Sequence, residues 1–210
     1  MGQYHLTVNL DKREYLSPHA LGDGLKLVEQ GLSGPGGIPT ALHVLLAVSN
    51  GRGGGDYNAG INYRSTTPDE VPEGAEVVGE YGGRVTWVER TPFADLAESV
   101  VGRWGGDRIA IIGDYAQYED LPEGMAPLAY ALCSDEEGVR ETIAHLRERG
   151  HEDEAIALTA QLDTYGTFAD ITPMVRDYLE GCDAYYHTFR YGDGSGWVDR
   201  SFELERRAGV

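Results

Sequence analysis

The sequence predicts an α+β fold: one compact domain over residues 1–210, with a largely antiparallel sheet and about five helices. Two observations carry this expectation. Segments with helical periodicity and segments with strand alternation come in mixed blocks, not in strict βαβ alternation. Two pairs of strand-like segments are also joined by short glycine turns, the connection that antiparallel neighbours use. The composition agrees, since 41% hydrophobic and 25% charged residues are the proportions of an ordinary globular chain. No internal repeat and no linker calls for a second domain.

Gln3 to Leu10 alternates as an edge or central strand, and Asp11-Lys12-Arg13-Glu14 follows as a polar turn. Ile38, Ala41, Leu42, Leu45 and Leu46 form one apolar helical stripe, with Pro39 suited to the first turn and Gly51 to the stop. Asn50 to Gly60 holds five glycines and reads as a loop, as does the proline-broken stretch Thr66 to Gly74. Glu76 to Tyr81 and Arg84 to Glu89 flank Gly82-Gly83, a hairpin whose turn needs positive φ at both glycines. Thr91-Pro92 opens a helix through Val101. Arg108 to Asp114, with Ile109, Ala110, Ile111 and Ile112 in succession, reads as a central strand buried on both faces.

Ala126 to Leu132 reads as a further strand. Ser134 and Glu137 have the spacing of a capping box that opens a helix carrying Val139, Ile143 and Leu146. Gly150 ends it, Asp153 to Leu162 forms the second arm of a helical hairpin, and Thr172-Pro173 opens a third helix closed by Gly181. Ala184 to Tyr191 and Trp197 to Leu204 flank a glycine-rich loop as a terminal β-hairpin.

Charge excludes more than it identifies. Thirty-five acidic against seventeen basic residues leave −18, so the average surface repels phosphate backbones, and nucleic-acid binding is not expected. No window approaches the ~18 apolar residues of a membrane span, and no signal peptide is recognisable, so a cytoplasmic, membrane-free protein is expected. Glu119 to Glu154 concentrates eleven carboxylates against three arginines. That segment reads either as a solvated helix face, with Glu136 and Arg140 at the supportive i,i+4 spacing, or as a surface for a protein partner with a basic face.

Catalytic templates fail one by one. The histidines at 5, 19, 43, 145, 151 and 187 form no HxH, HExxH or His-Cys cluster, so no metal and no cofactor is expected. Ser195 misses the Gly-x-Ser-x-Gly elbow by one position. Cys133, near a helix start, is the better nucleophile candidate of the two cysteines, but Asp135, Glu136 and Glu137 beside it would raise its pKa. Asp107 and Asp114 bracket a strand and stand roughly 23 Å apart, too far to share an ion. Asp11/Glu14 and Asp69/Glu70 read as solvated turns.

Two glycine-rich segments remain. Asn50-Gly51-Arg52-Gly53-Gly54-Gly55-Asp56 follows a helix and so lies at the wrong end of its dipole for a phosphate cradle. It reads as a flexible connection or as a ligand loop using Arg52 and Asp56. Gly102-Arg103-Trp104-Gly105-Gly106-Asp107-Arg108 is the best local candidate for recognition. There Arg103 and Arg108 could grip an anion while Trp104 stacks on a planar group. The same residues equally fit a structural role, with Trp104 closing the core and Asp107 pairing with an arginine.

These two segments, together with Val8 to Tyr15, Gly22 to Leu27 and Gly113-Asp114-Tyr115, resemble a set of hypothetical proteins from actinobacterial and phage genomes. That resemblance carries no known function, catalytic residue or cofactor. Three expectations follow from the residues. The first is a non-enzymatic acidic protein that binds a basic partner, in a phage or mobile-element setting. The second is a small-molecule enzyme or sensor that holds an anionic ligand through loops 50–58 and 102–108, using Arg52, Asp56, Arg103, Trp104, Asp107, Arg108 and Asp114. The third is a homo-oligomeric structural protein pairing through Gln3–Leu10 or the terminal hairpin.

Overall fold

β1 (His5–Asn9) is the strand around which the first sheet is built, and Leu6, Thr7, Val8 and Asn9 are all buried. Alternation turns Leu6 and Val8 to one face and Thr7 and Asn9 to the other. The computed structural model describes residues 3–32, 36–48, 61–90, 92–116 and 129–181. Within these the class is mixed α+β with mostly antiparallel sheets, and seven α-helices are present where about five were expected. Contacts divide the chain into two compact units, Met1–Val48 with Gly102–Arg176, and Ser49–Val101 with Asp177–Val210.

In the first unit β1 pairs antiparallel with both β2 (Glu14–Leu16) and β6 (Ile109–Gly113), and β7 (Ala169–Asp170) adds to β2 in parallel, giving the order β6-β1-β2-β7. Gln3–Leu10 is therefore not an edge available for self-pairing, because its strand is occupied on both sides. The isoleucine run is not a central strand either. β6 ends the sheet among the described residues, and only Ile112 and Gly113 are buried while Ile111 is 49% exposed. An apolar run can arise on an edge strand whose outer face keeps apolar residues in water.

Leu6, Val8 and Ile112 pack beneath α4 (Ala129–Leu132), α5 (Glu136–Glu148) and α6 (Glu152–Tyr165), which contribute Leu132, Val139, Ile143, Leu158 and Leu162 to the same core. The strand expected over Ala126 to Leu132 is a short helix from Ala129, residues 126–128 lying outside the described chain. The cap of α5 is Asp135, whose carboxylate accepts the Gly138 N–H at 2.8 Å, in place of the expected Ser134–Glu137 box. α5 and α6 form the anticipated helical hairpin, and Gly150 at φ 80° makes the turn.

α1 (Leu27–Gly31), not anticipated, is followed by α2 (Ile38–Leu45) with Pro39 in its first turn. α2 stops at Leu45, well before Gly51, because the backbone N–H groups of Gly102 and Trp104 take the Val44 and Leu45 carbonyls.

The second unit carries an antiparallel sheet of order β3-β5-β4, from β3 (Ile61–Thr66), β4 (Glu76–Tyr81) and β5 (Arg84–Arg90). Gly82 and Gly83 have φ 59° and 74°, the mirror-image turn expected of this hairpin. β3 was not anticipated. α3 (Pro92–Val100) follows the sheet in this unit, and its Phe93 stacks on Tyr178, in the part of the helix at 172–181 that belongs to the second unit, with ring centroids 5.5 Å apart. No helix among the described residues is long and apolar enough to cross a membrane. The glycine-rich loop with Arg52 and Asp56, Cys182 and the terminal hairpin at 184–204 lie outside the described residues.

Candidate functional site

The β1–β2 turn and the glycine loop at 102–108 meet side by side, and each charged residue of the loop has a partner in the turn. Glu14, at the start of β2, is buried and receives Arg103 in two parallel bonds, Nε to Oε2 at 2.9 Å and Nη2 to Oε1 at 2.5 Å. Trp104, fully buried, donates its indole Nε1–H to Glu14 Oε2 at 2.8 Å. Both carboxylate oxygens are thereby occupied by donors from residues nearly ninety positions away.

The next pair lies one step along. Lys12 Nζ reaches Asp107 Oδ2 and the Arg103 carbonyl, each at 2.5 Å. Buried Asn9 donates Nδ2–H to the same Asp107 oxygen at 2.8 Å, while its Oδ1 accepts the N–H groups of Asp11 and Lys12 and so shapes the turn. Lys12 and then Asn9 hold the Asp107 carboxyl below the ordinary carboxylate range. At the outer end Arg108 donates its backbone N–H and its Nε–H to the two oxygens of Asp11, both at 2.7 Å, which lowers the Asp11 carboxyl and raises the Arg108 guanidinium.

Arg13 completes the turn from a left-handed backbone, φ 55°, the one non-glycine residue in that region among those described. Its guanidinium lies 4.5 Å from the Phe168 ring centroid and 5.3 Å from that of Tyr165, and it donates to the Gly166 carbonyl at 2.7 Å. That carbonyl follows α6, so the same short turn also ties down the end of the helical hairpin.

The loop itself demands glycine at one decisive place. Gly102 has φ 73°, and a Cβ there would stand 2.4 Å from the Ala47 carbonyl oxygen, so a side chain would push α2 away from the loop.

Arg103, Trp104, Asp107 and Arg108 are therefore brought together, but onto the chain's own Glu14, Lys12, Asn9 and Asp11. Asp107 pairs with a lysine, not with the expected arginine, and Glu14 is no solvated turn residue. Asp114 does not join them. It sits past the other end of β6, where its Oδ1 accepts the Tyr4 N–H at 3.0 Å and its own N–H donates to the Tyr4 carbonyl at 2.9 Å.

Comparison with family models, with curated proteins and with solved structures finds no match. The site must then be read from its chemistry. Cys133 is buried, donates its thiol to the Ala129 carbonyl at 3.3 Å, and has its pKa pushed up to about 12 by burial, so it offers no thiolate near neutrality. Among the described residues no group of three or more histidine, cysteine or acidic side chains is placed to hold a metal ion.

Sequence reasoning missed Asn9, Asp11, Lys12 and Glu14 as partners of the loop. A signal for them exists. Asp11, Lys12 and Glu14 meet Arg108, Asp107 and Arg103, opposite charges in reversed order, the pattern two antiparallel segments leave when they face each other.

Proposed function

We propose that this chain is a non-enzymatic interaction protein that receives a basic face of a partner protein on the α5–α6 hairpin. One observation carries the reading: between Asp135 and Tyr165 the hairpin presents nine carboxylates, all exposed, against three arginines. Some are partly neutralised within the hairpin, as Glu136 is by Arg140 at 2.6 Å and Glu152 by Arg147 at 3.8 Å. Glu137, Glu141 and Asp153 carry no ion pair among the described residues and are exposed to solvent. Such a field steers a cationic surface and rejects phosphate backbones. The groups that chemistry would most readily recruit, the Cys133 thiol and the Arg103 and Arg108 guanidiniums, are committed to the fold.

The test uses an arginine-rich helical peptide as probe, titrated calorimetrically into the full chain at low and high sodium chloride. The expected result is binding that weakens steeply with salt and is mostly lost in the triple variant E137Q/E141Q/D153N, but is kept when Glu70, Glu76 and Glu80 are neutralised instead. Equal loss in the two triple variants, or binding indifferent to salt, contradicts the assignment to this hairpin.

A further inference from the structure

A cleft of about 620 Å³ opens in the first unit beside Asp114, away from the stapled loop. We propose that it binds a small primary amine bearing an apolar body. The walls are of two kinds. Leu6, Ile112 and Leu146 supply apolar surface from β1, β6 and α5, whereas Ser17, Thr142, Tyr15 and Tyr130 supply hydroxyls. This mixture and size are those of a small-molecule pocket, largely apolar with a few polar groups that fix orientation.

Charge selects the ligand class. Asp114 is the one acidic or basic side chain lining the cleft among the described residues, and no lysine, arginine or histidine joins it. Its Oδ1 is taken by the Tyr4 N–H, and its other oxygen has no hydrogen-bond partner among the described residues. The nearby base Arg13 is held on Gly166, Tyr165 and Phe168. Neither the Tyr15 nor the Tyr130 hydroxyl has a hydrogen-bond partner among the described residues, and burial raises both phenols, Tyr15 to about 12, so each remains a neutral hydroxyl beside its ring. A half-buried carboxylate with a spare oxygen, in a cleft that the Tyr15 and Tyr130 rings also line, attracts an ammonium group by ion pairing, and the rings favour a cation beside them. An anionic ligand would meet no countercharge, and a neutral one would shield the carboxylate from water without replacing its hydration. The inert Cys133 thiol on the same wall points to retention of the ligand without reaction.

The proposal stands apart from the α5–α6 acidic surface and survives its failure. The experiment titrates 2-phenylethylamine into the full chain, followed by amide chemical-shift changes, with 3-phenylpropionate and 2-phenylethanol as anionic and neutral counterparts of similar shape. Saturable binding of the amine is expected, at least about tenfold tighter than either counterpart. D114N should weaken the amine by about tenfold or more while leaving the folded spectrum intact, because asparagine retains an oxygen for the Tyr4 N–H. Y130F should weaken it less, and D153N, on the helical hairpin, should leave it unchanged. Amine binding no tighter than that of the acid or alcohol, absence of saturation, or undiminished affinity in D114N overturns the proposal.

Discussion

Asp107, just before β6, and Asp114, just after it, are the same residue type at two ends of one strand, and the structure uses them in opposite ways. Asp107 is enclosed by Lys12 and Asn9, in a row of pairs that also joins Arg103 to Glu14 and Arg108 to Asp11. Asp114 receives a single backbone N–H and borders a cleft whose other polar groups are hydroxyls. A charge becomes part of the fold when a complementary group from a distant segment reaches it, and stays available to a ligand when none does. Residue type does not separate the two cases; the partners do.

The comparison makes the 102–108 end the fragile one. The largest effect is expected for Trp104→Ala, which empties the volume of a fully buried ring and leaves Glu14 without one of its donors. A loss of about 4 kcal/mol in urea-induced unfolding is expected. Gly102→Ala should follow at about 2 kcal/mol, since it combines a disfavoured φ with a clash on the Ala47 carbonyl oxygen. If either variant unfolds with the wild-type midpoint, the loop is not the staple described.

Acid should loosen the same end. The Asp11 and Asp107 carboxyls are held below their ordinary range in the folded chain, so their contribution to stability is present above the unfolded value and is lost as pH falls through the folded one. Unfolding midpoints measured as a function of pH should therefore decline below about pH 4 in the wild type. They should decline less in the D11N/D107N variant, which has already forfeited that contribution. The smallest effect on stability belongs to the other end of β6, where D114N should change the unfolding free energy by less than about 0.5 kcal/mol. A larger loss would make Asp114 a structural residue like Asp107 and erase the contrast.

Much of the local structure is legible in the sequence because its causes are local. Gly82-Gly83 specifies its hairpin through positive φ, Pro39 and the stripe from Ile38 specify α2, and Gly150 specifies the turn between α5 and α6. What escaped is what depends on long-range neighbours. Ile109 to Ile112 has the composition of a central strand, yet strand order is decided by which segment lies beside it, and β1 holds the centre. Glu14 looks like an exposed turn acid, since nothing near it explains a buried carboxylate; its donors come from Arg103 and Trp104. The candidate site was half legible for the same reason. Arg103, Trp104, Asp107 and Arg108 stand out by composition, but the partners they meet, Asn9, Asp11, Lys12 and Glu14, lie in a turn that is distant in sequence.

The most direct test of this account is a double-mutant cycle on Glu14 and Arg103, using Glu14→Ala, Arg103→Ala and the double variant in denaturant unfolding. Strong coupling is expected, at least about 1.5 kcal/mol, with the double variant scarcely less stable than the weaker single one. Additivity within about 0.5 kcal/mol would contradict it, and would return the Arg103 guanidinium to the pool of groups free to hold a ligand.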